Sequence, residues 1–139
     1  FRTLVRLAKR WRNQAELTHL KSFPIELLMA YSLDTEGANG SIEQRFRRVL
    51  LYIAQSELKQ RVSFPENQRS AGVFIDPVVV LDPVCDSNNV TSRITEPERV
   101  EIVTAANEAW ETATFASTEG DLSLWKEVFG PRFKVRDDA

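Results

Sequence analysis

Apolar residues recur at helical spacing in five stretches of this chain and at strand-like density in one. Phe1, Leu4, Val5, Ala8 and Trp11 return every three or four positions and predict an amphipathic helix over residues 1–12. Arg2, Arg6, Lys9 and Arg10 fall off that stripe, with Arg6 and Lys9 one turn apart. A short polar connection leads to residues 22–33, where Ser22, an early Pro24 and then apolar periodicity mark a second helix start. Residues 34–40 are turn-rich and end it. Ser41 with Gln44 forms a capping box, and Phe46, Val49, Leu50, Ile53, Ala54 and Leu58 carry a third helix to about Gln60.

Residues 61–72 read as irregular. Residues 73–81 are β-branched and apolar but interrupted by Pro77, which predicts an edge strand or an extended buried segment. Residues 82–89 read as a loop, so no second strand candidate remains and at most a very short hairpin is expected. Thr95 with Glu98 forms a second capping box, followed by a long stripe of Val100, Val103, Ala106, Ala109, Trp110, Ala113 and Phe115. Leu122 to Phe129 predicts a last short helix, stopped by Gly130-Pro131, and residues 136–139 form a loose tail. The fold class is mainly α: a bundle of about five helices with one extended Val/Ile-rich segment and little or no sheet.

A length of 139 residues fits one domain with a real core. The formal net charge is −2, which excludes general coating of nucleic acid, but it is unevenly spread. Residues 1–21 carry Arg2, Arg6, Lys9, Arg10, Arg12 and Lys21 against Glu16 alone, a balance of +5 that leaves −7 for the remainder. A basic face on an acidic body suits a small phosphorylated ligand better than a long polyanion. Cys85 is the single cysteine, so no intrachain disulfide forms. No apolar run approaches ~20 residues, so no transmembrane helix is expected, and a cytoplasmic location follows. The chain opens at Phe1 inside a helical pattern, which predicts residues before it.

Most chemistry-bearing residues have ordinary explanations. Gly40-Ser41 resembles the glycine-serine turn of nucleotidyltransferases, but the paired acids that such a turn needs do not follow, and helix capping accounts for it. His19 and Cys85 are too isolated in sequence to read as a zinc site or a nucleophilic pair. Asp76 and Asp82 each precede a proline and fit turn chemistry. The cluster of Arg6, Lys9 and Ser22 has a different character. A helix start offers free N–H groups and a positive dipole end, and cations beside it make a phosphate clamp. Phe23 directly follows, an aromatic face on which a base could stack.

Three stretches in order carry a resemblance: residues 4–11, Leu-Val-Arg-Leu-Ala-Lys-Arg-Trp; residues 22–28, Ser-Phe-Pro-Ile-Glu-Leu-Leu; and Val80-Leu-Asp-Pro-Val84 with Asn88-Asn-Val90. Together they resemble the C-terminal helical domain of the oligoadenylate synthetase and cyclic GMP-AMP synthase-like nucleotidyltransferases, particularly the bacterial anti-phage cyclic-oligonucleotide synthases. The resemblance implies that residues 1–135 are a nucleotide-binding lid lobe. It implies nucleoside triphosphates as ligands, and an N-terminal palm lobe, absent from this chain, that carries the catalytic acids and Mg²⁺. By the same resemblance Arg6, Lys9 and Ser22 contact the donor's phosphates, Phe23 stacks on a base, and these residues alone catalyse nothing. Two alternatives stand beside it: a lobe of an RNA- or tRNA-tailing nucleotidyltransferase, and a non-enzymatic helical interaction module.

Overall fold

The computed structural model describes residues 1–37, 39–67 and 73–134. The predicted tail at 136–139 and the last part of the irregular stretch lie outside the described residues. Helices α1 (Arg2–Gln14), α2 (Ser22–Glu36) and α3 (Ile42–Ser56) come first. Strands β1 (Leu81–Asp82) and β2 (Cys85–Asn89) follow, then the long α4 (Glu96–Glu119), a 3-10 turn at Leu122–Leu124 and the short α5 (Trp125–Phe129). The fold is mainly α, as the periodicity predicts.

The core lies where α3 packs along α4, with α1 and α5 closing its sides and α2 resting on α1 and α3. Leu50, Ile53, Ile102, Ala106 and Ala113 are wholly buried at the α3–α4 contact. The buried face of α4 is Ile102, Ala106, Ala109, Ala113 and Ala116. Small side chains let the α3 backbone approach closely, as ridge-into-groove packing requires. Val100 and Phe115, predicted on this stripe, are instead exposed at its edge. One end of the bundle is aromatic: Phe129 packs against Phe46, Trp125 and Phe133, and Arg10 lies over the Phe133 ring.

Helix α3 stops at Ser56, four residues short of the predicted end. Glu57 and Leu58 both adopt left-handed conformations, with φ of 56° and 55°. Leu58 turns into the core, and the buried Arg99 of α4 donates to the Glu57 carbonyl at 2.7 Å while pairing with Glu96. Tertiary contacts thus end the helix where local pattern would continue it.

The loop expected at residues 82–89 is a hairpin. β2 pairs antiparallel with β1, and Val80 makes an isolated parallel bridge to Val62. Its pivot is the buried Asn89. Asn89 Oδ1 accepts from the backbone N–H of Val80 at 2.9 Å and of Thr91 at 3.0 Å. Asn89 Nδ2 donates to Asp76 Oδ2 at 3.0 Å and to the Val78 carbonyl at 2.8 Å. All four bonds of this amide are made, as a buried polar group requires. Asp82 accepts from the Val84 N–H, the turn chemistry its sequence context predicts.

Both capping boxes form as read. Ser41 and Gln44 cap α3 reciprocally, and Thr95 and Glu98 cap α4. Hydrogen bonds from the Thr95 backbone N–H and then its hydroxyl hold the Glu98 carboxyl below the ordinary glutamate range. A depressed folded pKa stabilises the fold above the unfolded glutamate's pKa, and that contribution disappears as pH falls through the folded value. Thr95→Ala removes the cap and the hydroxyl bond to Glu98, and is expected to lower the denaturant midpoint at neutral pH. The gap from wild type should narrow in acid. Denaturant melts at neutral pH and at about pH 3 check this; an unchanging gap refutes the coupling.

Candidate functional site

The cationic face of α1 and the start of α2 meet along one seam. The apolar stripe of α1, Leu4, Val5, Ala8 and Trp11, is buried, which turns Lys9 and Arg12 towards the flank where α2 packs. Lys9 Nζ pairs with Glu26 Oε1 at 3.4 Å across the two helices. Arg12 Nη1 reaches Ser22 Oγ at 3.2 Å and the Leu20 carbonyl at 3.1 Å. Ser22 and Glu26 are four residues apart, so the two cations touch one face of α2 about 6 Å apart along its axis.

Ser22 is the first residue of α2, and the capping position falls to Lys21, whose side chain makes no capping bond. Ser22, read from the sequence as marking the helix start, is the first residue inside α2, and its hydroxyl accepts from Arg12. Helices α3 and α4 have side-chain caps and acids in their first turns, whereas α2 has neither. The amide N–H groups at the start of α2 are left for another acceptor, next to fixed cations.

The four residues singled out from sequence divide. Lys9 and Ser22 share the seam through Glu26 and Arg12. Arg6 lies one turn earlier on α1, exposed, with no hydrogen bond or ion pair among the described residues. Phe23 is 47% exposed and, about 100° round the helix from Ser22, borders a different hollow of about 600 Å³. That hollow also touches Lys21, His19, Asn88 and Arg93. Sequence reasoning passed over Arg12 and Glu26 as site residues. Arg12 stands three residues after Lys9 and continues the same ridge, a signal that was present; Glu26 is recognisable only once the helices are packed.

His19 faces two carboxylates of α4, with Nδ1 3.6 Å from Glu98 Oε2 and Nε2 3.7 Å from Glu101 Oε2. These approaches place the α1–α2 corner beside the start of α4. Cys85 is exposed on β2 beside Ser87. Among the described residues no three His, Cys, Asp or Glu side chains converge as a metal site would require, and no helix is long and apolar enough to cross a membrane.

No family model matches the sequence. A CBASS oligonucleotide cyclase CdnC from Escherichia coli strain KTE188 is 62% identical over 139 residues, covering all of this chain and 44% of that protein. A cyclic AMP-AMP-AMP synthase from E. coli strain MS 115-1 is 31% identical over 144 residues, covering 96% of this chain and 45% of that protein. Solved structures of E. coli MS115-1 CdnC superpose at 29% identity over 95% of this chain and 45% of theirs. The one with ATP gives a TM-score of 0.85 and the complex with HORMA-deltaN gives 0.83. The chain spans less than half the length of the curated relatives it matches. Matched in sequence along its whole length and in backbone over nearly all of it, the chain is homologous to just under half of these cyclases and shares the fold of that part.

Proposed function

We propose that this chain is the C-terminal helical lobe of a two-lobed nucleotidyltransferase that makes cyclic di- or oligonucleotides from nucleoside triphosphates. The α1–α2 seam holds the donor's triphosphate, and transfer takes place on an N-terminal palm lobe outside these residues. The observation that carries the reading is the contact of Arg12 with the uncapped first turn of α2, with Lys9 held on Glu26 one turn further along the same helix. Similarity to an oligonucleotide cyclase and to a cyclic AMP-AMP-AMP synthase supports the substrate class.

In this reading Lys9 is a point charge on the outer phosphates, and the amides of Ser22 and Phe23 are neutral donors to them. Pro24 contributes no N–H, so these two amides are the ones the first turn can offer. Arg6 supplies a further cation from solvent, and Phe23, which opens onto the neighbouring hollow, is the aromatic face that a base would have to reach there. Lys9 must leave Glu26 to engage phosphate. The pair is half-exposed, and a triphosphate carries several charges against one, so the exchange favours the nucleotide. Among the described residues no side chains converge as a Mg²⁺ site would require; in this reading the ion belongs to the proposed palm, where it would activate the attacking hydroxyl.

The test is to incubate the full-length protein with the four nucleoside triphosphates and Mg²⁺, with and without a short RNA, and identify products by mass. Cyclic or short linear oligonucleotides are expected. Extension of the RNA transfers the lobe to a tailing enzyme. Failure to bind ATP in calorimetry overturns the reading and favours an interaction module.

A further inference from the structure

Arg12 is the side chain that touches Ser22, and it does so with a committed geometry. Its Nη1 donates to Ser22 Oγ at 3.2 Å and to the Leu20 carbonyl at 3.1 Å, and its Nε donates to Asn13 Oδ1 at 3.0 Å. A guanidinium donates only, and a hydroxyl has one proton and two acceptor lone pairs. With one lone pair of Ser22 held by Arg12, the hydroxyl proton points elsewhere, and no acceptor takes it among the described residues. We infer that Arg12 is a positioning residue, which fixes the Ser22 hydroxyl as a donor aimed at a phosphate oxygen. This rests on the triphosphate reading above.

Two features make Arg12 suited to the task. Its bond to the Leu20 carbonyl anchors the same nitrogen to the turn that leads into α2, so the fork and the start of the helix move together. Its charge polarises the hydroxyl it donates to, which strengthens the outward hydrogen bond in the same chain. Lysine keeps the charge but cannot bond Asn13, Leu20 and Ser22 from a planar fork. The role also explains why Ser22 does not cap its own helix: its oxygen is engaged from α1.

A double-mutant cycle in the full-length protein tests this, with ATP affinity read by calorimetry for wild type, Ser22→Ala, Arg12→Lys and the double variant. Arg12→Lys preserves the field at the site, so a loss of affinity reports the fork. Ser22→Ala should weaken ATP about tenfold, the scale of one hydrogen bond to a charged group. Arg12→Lys should weaken it comparably in the wild-type background and by less than about twofold beside Ser22→Ala. Melting temperature is followed in parallel; a merely structural Arg12 would lower it and weaken ATP equally in both backgrounds. Equal losses in both backgrounds, or no loss from Arg12→Lys, overturn the inference while leaving Ser22 on the phosphate. Unchanged affinity in Ser22→Ala alone overturns the phosphate assignment of Ser22 and this inference with it.

Discussion

Lys9→Ala in the full-length protein is expected to lower cyclic-oligonucleotide formation about a hundredfold, the scale of removing one cationic donor from a developing charge. The expectation follows from where Lys9 stands. It is partly shielded, it reaches across to α2, and its partner Glu26 lies one turn from Ser22. Charge accumulates on the leaving pyrophosphate as transfer proceeds, so a cation fixed there favours the transition state over the ground state. The turnover number should therefore fall more than the apparent affinity for nucleotide. Glu26→Gln is the counterpart: freeing Lys9 from its carboxylate should tighten ATP binding a few-fold, since the ion pair no longer competes. Turnover by Lys9→Ala within a few-fold of wild type would remove Lys9 from the site.

Asn89→Ala should destabilise the fold by about 3 kcal/mol. The substitution leaves the N–H groups of Val80 and Thr91 without the acceptor they share, inside the protein. Each buried unsatisfied amide costs about 1–3 kcal/mol. For a chain of this size the melting temperature should drop by about 10 °C. Asn89→Asp is a sharper probe. It keeps the acceptor for both amides but sets a second oxygen against the Val78 carbonyl and the Asp76 carboxylate, where Nδ2 now donates. It should also be destabilised, and more so at neutral pH than in acid. Thermal unfolding followed by circular dichroism measures both; an Asn89→Ala melt within a degree or two of wild type contradicts the network.

The helices were legible because their signals are local. Ser41 with Gln44 and Thr95 with Glu98 announce helix starts within four residues, and both boxes form. The stripe of α1 was readable for the same reason. What escaped reading depends on distant residues. The polar run Cys85–Asn89 has no strand-like alternation, and it pairs because backbone bonds and the Asn89 amide recruit it. The end of α3 is set by the burial of Leu58 and by Arg99 forty-two residues away. For the candidate site, the sequence singled out Arg6, Lys9, Ser22 and Phe23, of which Lys9 and Ser22 lie on one seam. Their link through Arg12 and Glu26 depends on how α1 lies against α2, which spacing along one helix cannot specify. Phe23 shows the limit most plainly: adjacent to Ser22 in sequence, it opens onto another hollow.

Helix α4 runs for 24 residues, about 36 Å of continuous rod. Its first turns lie beside the corner before Ser22, where His19 comes within 3.7 Å of Glu98 and Glu101, and its far half packs on α5 and the aromatic end of the bundle. The corner that precedes the uncapped start of α2 thus sits against a long rod and not on a free connector.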